Sequence, residues 1–356
     1  MAAVVVLIAA AAVYVSLLPK APTDEQGRPL TESQDVRRRA MELLRAEQPE
    51  MAAELLEQYI ANHPKDLTVY IALAELHLHR NDPKRCDAVL DQAQAFAPDD
   101  AGVLWVRGMS AQKQGRDPSA LFRQAAETPN ASPDVQGMFG LYLLGEEQAE
   151  EAERYLRRAV EGQTNNGMVH AALGQIALGR NQIDEAHRLL KRATELTPQS
   201  PAAWALLAEV QTNRGEADQA VASLREALKV AGGAQRGAVL MELGKAHMAE
   251  RRWSEAAEMF AQAADYPAVR APAAFQAAQC YYFTDAYAKA MHYIDQAQAF
   301  APDDPKVNEW KRKIETARYG QPASDATRKP LRSVLDVPPE EEKPSDSKKT
   351  GEATKP

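Results

Sequence analysis

Seven histidines, two cysteines and one acidic run are the side chains here most open to catalytic or metal chemistry. His77 and His79 stand two residues apart, a spacing that turns them about 200° from each other on a helix and keeps them off a shared metal ion. Cys86 and Cys280 make no CxxC pair and have no metal-ligand spacing. They read as two small buried apolar residues. Glu146, Glu147, Glu150 and Glu151 surround an inter-helix turn and the helix start after it, where negative charge is favoured by the helix dipole. Asn130-Ala131-Ser132 fits the glycosylation acceptor pattern, but Pro133 follows it and the match is discounted. No glycine-rich phosphate loop, HExxH, G-x-S-x-G or calcium-loop pattern occurs in the sequence. The expectation is a chain with no catalytic residues, no metal, no cofactor and no small-molecule substrate.

What organises the chain is repetition. The string DQAQAFAPDD stands at Asp91–Asp100 and again at Asp295–Asp304, 204 residues on, which is six steps of 34. Small residues at Ala52, Cys86, Ala120, Ala152, Ala186, Ala220, Ala256 and Ala290 mark eight units, spaced by 34 with one step of 32 and one of 36. Each marker opens a small–large–small core, as in Ala186-Leu190-Ala193 and Ala256-Phe260-Ala263. Twelve residues earlier lies a second small residue, among them Ala74, Gly108, Gly140, Gly174, Ala208, Gly244 and Ala278. The expected geometry is a pair of helices crossing at small residues, with the large side chain filling the gap to the next unit. Pro64, Pro98, Pro198 and Pro302 end the second helices. Ser200-Pro201 and Asp304-Pro305 start fresh ones, a capping side chain before a proline at the first helical position.

This spacing, with Trp204-x2-Leu207-Ala208 in a first helix, resembles the tetratricopeptide repeat family over about Ser33 to Asp304. The fold class expected is all-α: a right-handed solenoid of about eight helix pairs with a C-terminal capping helix and an N-terminal transmembrane helix. Two units depart from the pattern. At 101–132, Gln124 stands where a large apolar residue is due, with Leu121 or Phe122 as substitutes; in the first unit Tyr59 replaces a small residue.

The ends differ from the repeats. Residues 1–18, MAAVVVLIAAAAVYVSLL, carry no charged side chain and would span about 27 Å as a helix. They are expected to be an uncleaved membrane anchor, single-pass at the N-terminus, with a cleaved secretory signal as the alternative: a basic leading region and a clean cleavage site are both missing. The side of the soluble part stays open. Lys20, Arg28 and Arg37 to Arg39 lean toward the cytoplasm, but Asp24, Glu25, Glu32 and Asp35 accompany them. Residues 19–32 form a linker and 33–304 the eight units. In 305–319, Val307, Trp310 and Ile314 form one apolar face of a capping helix. The stretch 320–356 is rich in proline, serine and charge, a composition of disordered segments. Its one apolar cluster, Leu331 to Val337, is a candidate docking motif.

The net charge of −8, with a pI near 5.5, excludes nucleic acid as the main ligand, since no excess of cations can displace phosphate counterions. What the family resemblance implies is a concave groove lined by fixed positions of the first helices. In this register it displays Ile71, Trp105, Met109, Leu141, Leu144, Met168, Leu178, Met241, Met248, Phe275, Tyr282 and Phe283, with Arg37, Glu75, Gln175, Glu209, Lys245 and Gln279 among them. Trp105, Phe275, Tyr282 and Phe283 are the aromatic anchors that interfaces favour. The partner expected is a protein or peptide segment, apolar or amphipathic, and the function that of a membrane-anchored adaptor or scaffold in assembly or quality control of envelope complexes. Two alternatives remain: a holdase for unfolded or translocating segments, and a self-assembling structural protein.

Overall fold

A computed structural model describes residues 30–129 and 131–320. These form seventeen helices and, among the described residues, no strand. Eight pairs run in order: α1 (Glu32–Arg45) and α2 (Pro49–Asn62), α3 (Leu67–His79) and α4 (Pro83–Gln94), α5 (Ala101–Lys113) and α6 (Ser119–Glu127), α7 (Pro133–Gly145) and α8 (Ala149–Glu161). Then come α9 (Gly167–Gly179) and α10 (Ile183–Leu196), α11 (Pro201–Asn213) and α12 (Ala217–Val230), α13 (Gly233–Ala249) and α14 (Trp253–Ala263), α15 (Arg270–Phe283) and α16 (Tyr287–Phe300), with α17 (Pro305–Tyr319) closing the array. The expected anchor at 1–18, most of the linker and the tail beyond Gly320 lie outside the described residues. No helix among the described residues is long and apolar enough to cross a membrane.

Six of the eight first helices, all but α13 and α15, start on side-chain caps that satisfy otherwise orphaned backbone donors. Thr31 and Gln34 form a reciprocal capping box at α1. Asp66, Asp100, Ser132, Asn166 and Ser200 accept from the first turns of α3, α5, α7, α9 and α11, and Asp304 does so for α17. Ser132, the discounted glycosylation hydroxyl, is thus occupied as a cap. All eight first helices also end alike, with one residue in the left-handed region: Glu47, Asn81, Gly115, Glu147, Asn181, Gly215, Arg251 and Asp285, at φ between 57° and 75°. The next amide donates to the carbonyl five residues back at 2.8–2.9 Å, as Gln148 does to Leu143.

Within a pair, the helices cross where a large side chain sits over a glycine. A Cβ on Gly140, Gly174 or Gly244 would fall 2.7–2.8 Å from the nearest atom of Leu156, Leu190 or Phe260. The large residue therefore sits over its own unit's first helix, and it also packs into the core shared with the next unit, Leu156 with Val169 and Leu173 and Leu190 with Leu207 and Val210. The third unit corrects the register. Ala120 is exposed, whereas the other seven markers are fully buried. Phe122 covers Gly108, which makes Pro118 the equivalent residue. A proline there disfavours helix at the residue before it, so α6 lacks its first turn and runs only nine residues. In the first unit, Tyr59 stacks on His63 with ring centroids 4.2 Å apart and donates to Asp66 at 3.1 Å.

Consecutive first helices pack side by side, while consecutive second helices meet only glancingly. The first helices therefore line the inner, tighter side of the superhelix. On the outer side, long ion pairs span the wider gap: Arg123 grips Glu151 at 2.6 and 3.0 Å, and Arg157, one repeat on, reaches Glu185 at 2.6 Å. One step differs. Between α13 and α15 the side-by-side contact thins, and α14 packs closely on α15 instead. The last units and α17 share one apolar core, with Val307 and Ile314 buried in it and Trp310 against it, as a capping helix requires.

Candidate protein-binding surface

The first helices carry the positions that the sequence assigned to a groove, and burial sorts them. Trp105 and Met241 are buried, at 9 % and 8 % exposure. Trp105 lies against Phe122, with ring centroids 4.2 Å apart, and serves as packing between α5 and α6. Ile71 is half-buried because it wedges against the next first helix, its Cδ1 2.7 Å from where a Cβ on Gly102 would be. Met109, Leu141, Leu144, Leu178, Met248, Phe275 and Tyr282 are likewise half-buried between adjacent helices. Phe283 is exposed, and Met168 is the most open of the set at 60 %. Met41, at 54 %, belongs beside them, since it stands 34 residues before Glu75 and 68 before Met109.

The open surface falls into three stretches. At the N-terminal end, Met41, Leu44 and Ala72 line a pocket between α1 and α3 with Arg37, Arg45, Glu75 and His79 at its edge. Glu75 keeps an exposed surface, but desolvation by the apolar side chains around it raises its carboxyl from the ordinary value, against the opposing pull of Arg37. In the middle, a trough of about 840 Å³ crosses α9, α11 and α13. Its floor is Ala202, Ala205, Ala246 and Ala249; its polar groups are Gln175, Glu209, Thr212, Asn213, Glu242 and Lys245. Lys245 pairs with Glu242 at 2.7 Å. At the C-terminal end the surface turns aromatic with Tyr282 and Phe283. Alanine floors let another backbone approach closely, and the polar groups above them fix its orientation.

The remaining reactive side chains are spent on the fold. Cys86 and Cys280 are free and buried, and burial pushes both thiols up to about 12, which leaves them inert. His77 and His247 are buried, with Nδ1 unpartnered in each, and burial lowers both below the ordinary imidazole value. His79 is exposed. Among the described residues no three His, Cys, Asp or Glu side chains converge as metal ligands. What the arrangement can do is hold another chain against its inner face.

Known proteins bear on the fold. The tetratricopeptide repeat profile matches residues 43–104, 143–210, 177–241 and 247–314. Among solved structures the chain is similar to one in the crystal structure of the APC/C hetero-tetramer Cut9–Hcn1, with a TM-score of 0.52, 14 % identity, and 80 % of this chain covering 56 % of that one. It is similar also to the C-terminal part of a TPR repeat-containing protein of Cytophaga hutchinsonii (TM-score 0.42, 16 % identity, 77 % and 98 % covered) and to pilF of Pseudomonas aeruginosa (0.41, 16 %, 69 % and 97 %). The chain spans little more than half of the first of these, and at such identities the likeness speaks for fold alone. No curated protein matches the sequence. The matched repeats cover well over half of the chain, which belongs to the tetratricopeptide repeat family, an architecture of protein–protein interaction scaffolds.

Proposed function

We propose that the chain is a membrane-anchored adaptor: residues 1–18 hold the solenoid at a bilayer, and its inner face gathers a protein partner there. The observation that carries the reading is the trough across α9, α11 and α13, with its alanine floor and its polar rim of Gln175, Glu209, Glu242 and Lys245. An amphipathic helix or extended segment suits it, apolar side toward the alanines and polar side toward the rim. Confinement to a membrane raises the effective concentration of partners in the same bilayer, so modest affinity suffices. By analogy of architecture, assembly or quality control of envelope complexes is the setting. The exposed, flexible Met41 and Met168 favour a second reading, a holdase with broad selectivity.

The test is affinity capture of the intact chain from its own cells against a variant with Met168→Glu, Glu209→Lys and Lys245→Glu, all exposed positions. One or two partners held by the intact chain and lost with the variant, at unchanged circular dichroism, support the adaptor. Many unrelated clients support the holdase. An unchanged partner list removes the inner face from the account.

A further inference from the structure

Twelve of the chain's twenty-two aromatic residues fall between Trp253 and Tyr319, and the structure sets three of them in a row. Phe283, at the end of α15, stacks on Trp253 of α14 with centroids 4.6 Å apart and meets Trp310 of α17 edge-on at 6.0 Å. Tyr282 braces the row, its ring 5.5 Å from Trp310. A phenyl ring held between two indoles is ordinarily sealed, yet Phe283 keeps 37 % of its surface open. Open aromatic faces of this kind take apolar side chains and prolines, and stacked prolines need no hydrogen bond from the surface.

Charge borders the row. Residues 305–319 carry five Lys or Arg against two Glu, a net +3 in a chain of −8. Lys306, Arg312 and Lys313 are exposed on α17, and the Lys313 ammonium lies 5.0 Å from the centre of the Trp310 ring. Lys313 also pairs with Glu309 at 2.7 Å. The complement to an aromatic row beside a basic helix is an apolar, proline-containing segment that ends in carboxylates.

The chain itself holds such a segment. Leu331-Arg-Ser-Val-Leu-Asp-Val337 runs into Pro338-Pro339 and then Glu340-Glu341-Glu342. The ten residues between Gly320 and Leu331 can reach roughly 33 Å. From Tyr319 back to Trp310 along α17 is about 14 Å, so the tether is long enough to return. A tethered segment is present at millimolar effective concentration, and weak contacts then suffice to seat it.

We propose that residues 331–342 of this chain dock on the aromatic row of Trp253, Phe283 and Trp310, with Pro338 and Pro339 against the rings and the three glutamates beside α17. The inference does not depend on which partner the solenoid binds, or on the membrane anchor.

A photoreactive phenylalanine analogue in place of Val337, in the full chain purified in mild detergent, tests this. Irradiation is expected to join position 337 to residues within 253–319 of the same molecule. An equal mixture of isotopically light and heavy chains separates this from contact between copies: adducts of one label only are expected. Glu340→Lys, Glu341→Lys and Glu342→Lys together leave every repeat untouched, and they should lower the yield about fivefold. Phe283→Ala should lower it as well. Adducts elsewhere on the array, adducts of mixed label, no adduct, or a yield indifferent to the charge reversal would each overturn the proposal. Failure here leaves the partner-capture result standing, and the reverse holds too.

Discussion

Replacing Gly174 by alanine should change the sign of its effect when Leu190 is shortened. Leu190 is fully buried, and its Cγ and Cδ2 would lie 2.7 and 3.0 Å from a Cβ at position 174. Carbon atoms in good contact stand about 3.5–4.0 Å apart, so the overlap approaches an ångström and the leucine must shift within a closed core. Overpacking of this kind costs about 1–3 kcal/mol. Alanine is better than glycine in a helix interior by about 1 kcal/mol, so Gly174→Ala alone should destabilise by about 1 kcal/mol. Leu190→Ala alone should cost about 2–5 kcal/mol. In that shortened background the clashing carbons are gone, the new methyl half-fills the void, and Gly174→Ala should stabilise by about 1 kcal/mol. The coupling is then about 2 kcal/mol. Urea denaturation of the four chains, with hydrogen exchange read in α9 and α10, measures it. Equal effects of Gly174→Ala in both backgrounds would refute the idea that this pair fixes the crossing.

Acid should weaken the fold through His77 and His247. Burial lowers both, so the unfolded chain, with imidazoles near 6.5, takes up protons first, and stability falls as pH drops through that value. The double variant His77→Gln and His247→Gln copies Gln211 at the same repeat position, where the amide accepts from Ser223 at 2.7 Å. It should flatten the dependence of urea midpoints on pH between 7.5 and 5.5. Glu147→Gly should stabilise by about 1 kcal/mol by relieving its left-handed backbone, and Gly215→Val should destabilise by at least as much, both read from urea midpoints. Deleting residues 1–18 should move the chain from the membrane fraction to the soluble one after alkaline carbonate extraction; retention in the membrane would remove the anchor.

The period, the helix pairs and the closing helix were legible because they rest on local rules: caps before prolines, small residues at 34-residue steps, an apolar face on α17. Ala120 misled because it is in phase with Gly115 before it, while the two missing residues fall inside the first turn of α6, where only packing reveals them. The eight left-handed turns were hidden because Glu, Asn, Gly, Arg and Asp share that position, and the glycines at 115 and 215 were too few to show a rule. The inner face was legible in its positions but not in its exposure. Trp105 is closed by Phe122 of its own unit while Met168 stays open, a matter of which neighbouring side chains reach each position that the repeat length does not encode.

The inner face, and not the outer one, is proposed to meet the partner. A photoreactive residue at Ala202, exposed on the floor of the trough, is compared in cells with one at Ala222, exposed on α12. Discrete partner adducts are expected from position 202 and none from 222. Equal adducts from both, or adducts from 222 alone, would contradict the proposal.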